Sequence, residues 1–220
     1  MSPRPRRLPD SAILDAAAKV VSRTGPERFT LADVGGEVGL SAATLVQRFG
    51  SKRALLLAML EQTVSLVDEN FEAALANTAS PLEGLYAAAL GRVSQIDGPE
   101  SLANRFAFVL LEMNDPEFHA LAVETTRKAV RAYKVLLDNA IDAGELTNTG
   151  ADTQALAASI HAMTLGSLML WAITRDGPIP PTRQDLDNLL RPFKRPSSRT
   201  TPHHDAHGPK IKASAPALAD

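Results

Sequence analysis

Cysteine is missing from all 220 residues. That excludes disulfides, thiolate metal sites and a cysteine nucleophile. No HExxH or Glu-x-x-His pair is present, and the glycines at 35, 36 and 39 follow no strand. A zinc protease, a helical metal site and a phosphate-binding loop therefore find no support, and neither an enzyme nor a cofactor is expected. Alternating runs bounded by hairpin turns are absent, so no strand is predicted. No apolar run approaches the roughly 20 residues of a membrane span. The start, MSPRPRRLPD, is basic without the apolar segment of a secretory signal. The expected location is the cytoplasm.

What is present is helical periodicity. Hydrophobic residues at 45% and charged residues at 22% suit a soluble globular protein. Helices are expected near 10–23, 30–36, 41–47, 51–76, 82–96, 101–112, 117–143, 152–174 and 182–192, giving an all-α chain of about nine helices. Pro81, Pro99 and Pro116 each suit a first helical turn, where a missing N–H is harmless. Residues 1–9 read as a flexible basic arm, 10–53 as a three-helix head and 54–194 as a helical body. The tail, 195–220, is rich in Pro, Ser, Thr and His and is expected to be disordered. Its His203, His204 and His207 have no carboxylate frame, so no metal site is expected there.

The net charge of −2 hides an asymmetry. Residues 1–53 hold nine Arg or Lys against five acids, about +4, which leaves 14 basic and 20 acidic residues, about −6, for the remainder. A basic head on an acidic body suits a head that meets phosphates.

The stretch 30–53, TLADVGGEVGLSAATLVQRFGSKR, is the most informative. Thr30 can cap a short helix with Leu31 and Val34 inward. Gly39 ends it, and Ser41 can cap a second helix that turns Leu45 inward. Two short helices joined by a tight glycine turn are the pattern of a DNA-binding helix-turn-helix, whose second helix lies in the major groove. On this reading Thr30, Thr44 and Lys52 meet phosphates, Ala43 and Gln47 face base edges, and Arg48 does either. Ser41 and Ala42 open the same helix.

Residues 13–60 resemble the N-terminal domain of the TetR family of bacterial transcriptional regulators. The resemblance rests on ILDAAA at 13–18, Gly25, the Thr30 opening, VGLS at 38–41, TL at 44–45 and FGSK at 49–52. Two positions depart from the family pattern. Val46 stands where the family usually has Tyr reaching a phosphate, and Gly35 stands where it usually has Ala. Two helical glycines cost about 1 kcal/mol each relative to Ala, so a soft first motif helix is expected.

The resemblance implies a homodimer in which the last two helices of each subunit form a four-helix bundle. Ala155, Ala158, Ser159, Ala162, Gly166 and Met169 form a stripe of mostly small residues that fits such an interface, with Leu186, Leu189 and Leu190 beside it. The body can enclose a cavity walled by Phe71, Leu75, Tyr86, Leu90, Phe106, Val109, Met113, Tyr133, Met163 and Trp171, with His161, Asn104 and Tyr133 as polar handles. The expected function is a repressor that leaves a double-stranded operator when a small apolar or aromatic effector binds. The alternative is a helical regulator or adaptor acting through protein contacts, with weak or no DNA binding.

Overall fold

Proline, serine and aspartate fix where the helices begin. The computed structural model describes residues 8–93, 96–147, 150 and 152–194. The expectations for the basic arm up to residue 7, and for the tail with its three histidines, lie outside the described residues. Among the described residues there are nine α-helices and no strand. They are α1 (Asp10–Thr24), α2 (Leu31–Val38), α3 (Ala42–Phe49), α4 (Lys52–Ala76), α5 (Pro81–Gly91), α6 (Pro99–Asn114), α7 (Pro116–Asp142), α8 (Thr153–Thr174) and α9 (Arg183–Leu190).

The caps follow from side-chain oxygens that accept orphan helix N–H groups. Thr30 and Asp33 make a reciprocal capping box on α2. Ser41 accepts from the Thr44 N–H, and Ser51 from the Ala54 N–H. Pro81, Pro99 and Pro116 stand in the first turns of α5, α6 and α7. Two boundaries differ from expectation. α5 stops at Gly91 rather than near 96, and Ile96 instead buries against Leu102 and Leu168. α2 runs through both glycines to Val38.

Two large cores and a small cluster of Ile96, Leu102 and Leu168 hold the molecule. One joins Ile13, Val20, Phe29, Val34, Leu45, Leu55 and Leu56, and it is completed by Phe108 of α6 and Phe118 of α7. Head and body therefore share apolar packing. The other gathers Phe71, Leu85, Tyr133, Leu137, Ile160, Leu186 and Leu190. Arg53, in the first turn of α4, reinforces the junction. It bonds Asp115 at 2.9 Å and Glu117 at 2.5 Å and lies 5.4 Å over the Phe118 ring. The same Asp115 caps α7, and the Arg53 guanidinium holds its carboxyl below the usual range.

α8 corrects one expectation. By length and composition it could cross a bilayer, with mean hydropathy 1.6 over 18 residues. Leu, Ile, Ala and Met interspersed with Thr, Ser, Gly and His, rather than an unbroken apolar run, carry this apolarity. One side of α8 packs into the cores through Ala157, Ile160 and Leu168.

Candidate nucleic-acid interface and cavity

α3 is held to the head by Leu45, its one fully buried side chain. Burying a leucine contributes about 1.5–3 kcal/mol. With Leu45 inward, the helix presents Ala43, Val46 and Gln47 on its solvent face at spacings of three and four residues. Val46 is 47% exposed. The Ser41 and Thr44 hydroxyls lie 2.9 Å apart, so both face the N-terminal end of α3. Ala42 is half-buried beside them.

The turn between α2 and α3 depends on one glycine. The Leu40 N–H bonds the Gly35 carbonyl at 2.9 Å, and a β-carbon on Gly35 would stand 2.3 Å from the Leu40 carbonyl oxygen. Gly39 takes φ 69°, the left-handed conformation that favours glycine. The expected softening of α2 therefore has a counterpart at Gly35, where absence of a side chain lets the two motif helices meet.

The cations of the head divide into two groups. Arg48 ion-pairs with Asp10 of α1, leaving its side chain 11% exposed and drawn toward α1. Arg23 pairs with Glu37 and Arg53 with the α7 start. Among the described residues, Lys19, Arg28 and Lys52 make no ion pair. Lys52 Nζ donates to the Glu27 carbonyl at 2.6 Å and sits 4.5 Å over the Phe29 ring. Arg28, on the loop before α2, donates to the Thr24 carbonyl. Sequence reasoning passed over Arg28, because a loop charge carries no periodic signal. Thr30 spends its hydroxyl on the Asp33 carboxylate.

A cavity of about 610 Å³ lies where head and body meet. Its walls come from α1 (Ala18, Val21, Ser22), α4 (Met59, Leu60, Thr63), α6 (Asn104, Arg105, Phe108, Val109, Glu112, Met113), the first half of α7, and His161 and Leu165 of α8. Arg92, at the end of α5, also reaches it. Of the expected lining, Val109, Met113, Asn104 and His161 are there. The others are committed to packing. Phe71 and Tyr133 meet edge to face at 4.8 Å. Tyr86 donates to the Asp187 carboxylate, with Arg183 4.2 Å over its ring. Met163, Leu75 and Leu90 pack on the body core. Phe106 and Trp171 join the cluster around Ile96, where the Trp171 N–H reaches the Gly177 carbonyl at 3.1 Å. The Arg92, Arg105, Glu112 and Arg127 lining was not anticipated, since charged side chains on helices are read as solvent-facing by default.

Burial shapes the chemistry of this cavity. Arg105 is exposed by surface area, yet desolvation by the surrounding protein lowers its pKa, and the like charge of Arg92 adds to this. Burial pushes the Glu112 carboxyl up to about 7, against the pull of Arg105. It pushes His161 down to about 4, with the like charge of Arg92 adding to the effect. The imidazole is 7% exposed and its Nδ1 has no hydrogen-bond partner. Nearby, burial raises Tyr133 to about 12. Among the described residues no group of His, Cys, Asp and Glu is placed to hold a metal ion.

Residues 13–59, which span α1 to the first turns of α4, match the sequence pattern of "Bacterial regulatory proteins, tetR family". Over these residues the chain is similar to the TetR family. It is similar to the HTH-type transcriptional regulator BetI of Brucella anthropi, 27% identical over 168 residues, which cover 76% of this chain and 82% of that protein. Its fold matches a TetR-family transcriptional regulator from Pectobacterium atrosepticum at TM-score 0.58 and 25% identity, covering 84% of this chain and 93% of that one. A transcriptional regulator from Saccharomonospora viridis, in complex with choline, matches at TM-score 0.58 and 20% identity, covering 83% and 91%. The proteins it resembles are DNA-binding transcription regulators, and its head has their helix-turn-helix.

The dimer residues expected from the sequence fall into two sets. Ala155, Ala158, Ser159, Ala162, Gly166 and Met169 lie exposed along one side of α8, and Ile173, 76% exposed, extends the line. Leu186 and Leu190 are at 0% exposure within the single chain, holding α9 on the body core, so they have no surface left for a partner. Leu189 is partly buried beside them.

Proposed function

We propose that this protein is a cytoplasmic homodimeric repressor of the TetR family that leaves its operator when a small molecule fills the cavity between head and body. The observation that carries the reading is the composition of the cavity wall. The head helix α1, the connector α4 and the body helices α6, α7 and α8 all contribute side chains to one space. An occupant therefore touches the helix that orients the DNA-reading head and the helices that would fix the distance between two heads. A ligand shifts such an equilibrium only by its differential affinity for the two arrangements.

The dimer reading is supported by the exposed side of α8. Seven residues from Ala155 to Ile173 recur at helical spacing, small at one end and larger at the other. Small side chains permit close helix approach, and an uncovered apolar stripe of this length is unusual for a monomer. Two heads on a two-fold axis would read a near-palindromic site.

The effector has a mainly apolar body, held against Phe108, Val109, Met59 and Leu60. The choline-bound relative from S. viridis raises the question of a quaternary ammonium here. Such a group is favoured over aromatic faces. Phe108 is the one Phe, Tyr or Trp among the described cavity walls, and three arginines line the same space. That composition disfavours a cation.

The test uses the purified full chain. Duplex sequences selected from a random pool should converge on two related half-sites and bind two chains per duplex. Failure to enrich any sequence, with binding equal on scrambled DNA, would overturn the repressor reading and favour an adaptor.

A further inference from the structure

The cavity holds more positive charge than its surroundings balance. Arg92, Arg105 and Arg127 line it against a single carboxylate, Glu112. Among the described residues none of these arginines has a carboxylate within ion-pair distance, although eight ion pairs form elsewhere on the chain. Arg92, Arg105 and His161 all line this cavity, and the positive charge of Arg92 acts on the other two. Guanidiniums on one cavity wall without an ion-pair partner are an arrangement that an anion can satisfy.

His161 adds an independent observation. It is buried, lines the same space, and leaves Nδ1 without a partner. Buried polar atoms are ordinarily hydrogen-bonded, so an unpaired nitrogen in a residue of the cavity wall is a group that a bound ligand atom can satisfy. Glu112 stands seven residues from Arg105 on the same face of α6, about 10 Å along the axis from its Cα.

We propose that the cavity recognises an organic carboxylate with an apolar body, its carboxylate seated between Arg92 and Arg105 with His161 alongside. This rests on the reading of the cavity as an effector site. The apolar body lies along Phe108 and Val109 toward Glu112. Because burial holds the Glu112 carboxyl up at about 7, much of it is neutral at neutral pH and repels the anion less than an ordinary glutamate would.

Octanoate, octanol and octylammonium share a chain and differ in head charge, which makes them suitable probes. Calorimetric titration of the full chain should give octanoate an affinity about tenfold or more above octanol, with octylammonium weakest, as a charge-assisted contact requires. Arg105→Met should bring octanoate down to the level of octanol and leave octanol unchanged. Arg92→Met is the second variant, and thermal unfolding without ligand checks that both fold. Equal or tighter binding of octanol or octylammonium, or no binding of octanoate, would overturn the anion site. Preferred octanoate binding that leaves operator affinity untouched would keep the anion site and instead overturn ligand-driven release.

Discussion

Gly35 and Leu40 meet so closely that a β-carbon on the first would stand 2.3 Å from the carbonyl oxygen of the second. Gly36, one residue on, has nothing within 4 Å of the same construction. The two glycines look equivalent in sequence and are opposite in structure. Gly35→Ala forces the α2–α3 turn apart, because a backbone carbonyl cannot swing away as a side chain can. Overpacking of this kind costs about 1–3 kcal/mol. Gly36→Ala restores helix propensity at no steric cost and should gain up to about 1 kcal/mol. Urea unfolding of the two variants should move the midpoint in opposite directions.

The Arg48–Asp10 pair separates two cations that the sequence treats alike. Arg48 is already held by α1, while Lys52 has no ion pair among the described residues. Lys52→Ala should weaken binding to all duplexes and reduce the salt slope by about 1. Arg48→Ala should leave the slope unchanged. Anisotropy titrations between 50 and 300 mM salt would show this, and equal loss from both variants would place Arg48 on a phosphate.

The contrast between Arg48 and Lys52 also marks how far the sequence reaches. Helix starts were legible because Thr30, Ser41 and Ser51 cap locally, within three residues of the N–H groups they satisfy. The outward set Ala43, Val46 and Gln47 was legible because Leu45 alone fixes which way α3 faces. The cavity was not. Phe71, Tyr86 and Tyr133 looked like lining, yet each ring is spent on edge-to-face or polar contacts within the body core. Arg92 and Arg105 were not among the expected lining, and only the long-range packing of α6 against α1 and α8 forms the cavity they line. Asn104 illustrates that packing, since its amide reaches the Ser22 carbonyl at 2.9 Å across 82 residues of sequence.

Two cavity groups give opposite pH signatures. Glu112 has a native pKa near 7, above its usual 4.5. Between those values the native state holds a proton that the unfolded chain has lost, so stability falls as pH rises from 4.5 to 7. His161 has a native pKa near 4, below its usual 6.5. Between those values the unfolded chain holds the extra proton, so stability falls as pH drops from 6.5 to 4. The two terms oppose each other between 4.5 and 6.5. Glu112→Gln should therefore raise the melting temperature at pH 8 relative to the parent and lose that advantage by pH 4. His161→Gln should resist acid better than the parent. Parallel stability curves for parent and variants would contradict both assignments.

A charged residue on the exposed side of α8 should block self-association. Ala162 lies mid-stripe and is exposed in the single chain, so Ala162→Arg has no intramolecular core to disrupt. Light scattering should report one chain for the variant and two for the parent, with unchanged helical signal. A dimeric Ala162→Arg would move the interface off this stripe.

Gln47 provides the most direct test that the exposed face of α3 reads DNA. Glutamine can bond adenine through its N6 and N7 edge in the major groove, and alanine cannot. The measurement is selection of bound duplexes from a random pool by the parent and by Gln47→Ala. Both proteins should select two half-sites, with Gln47→Ala altering the preferred base at one position per half-site and leaving the rest intact. An identical consensus from both proteins would contradict DNA reading by this face.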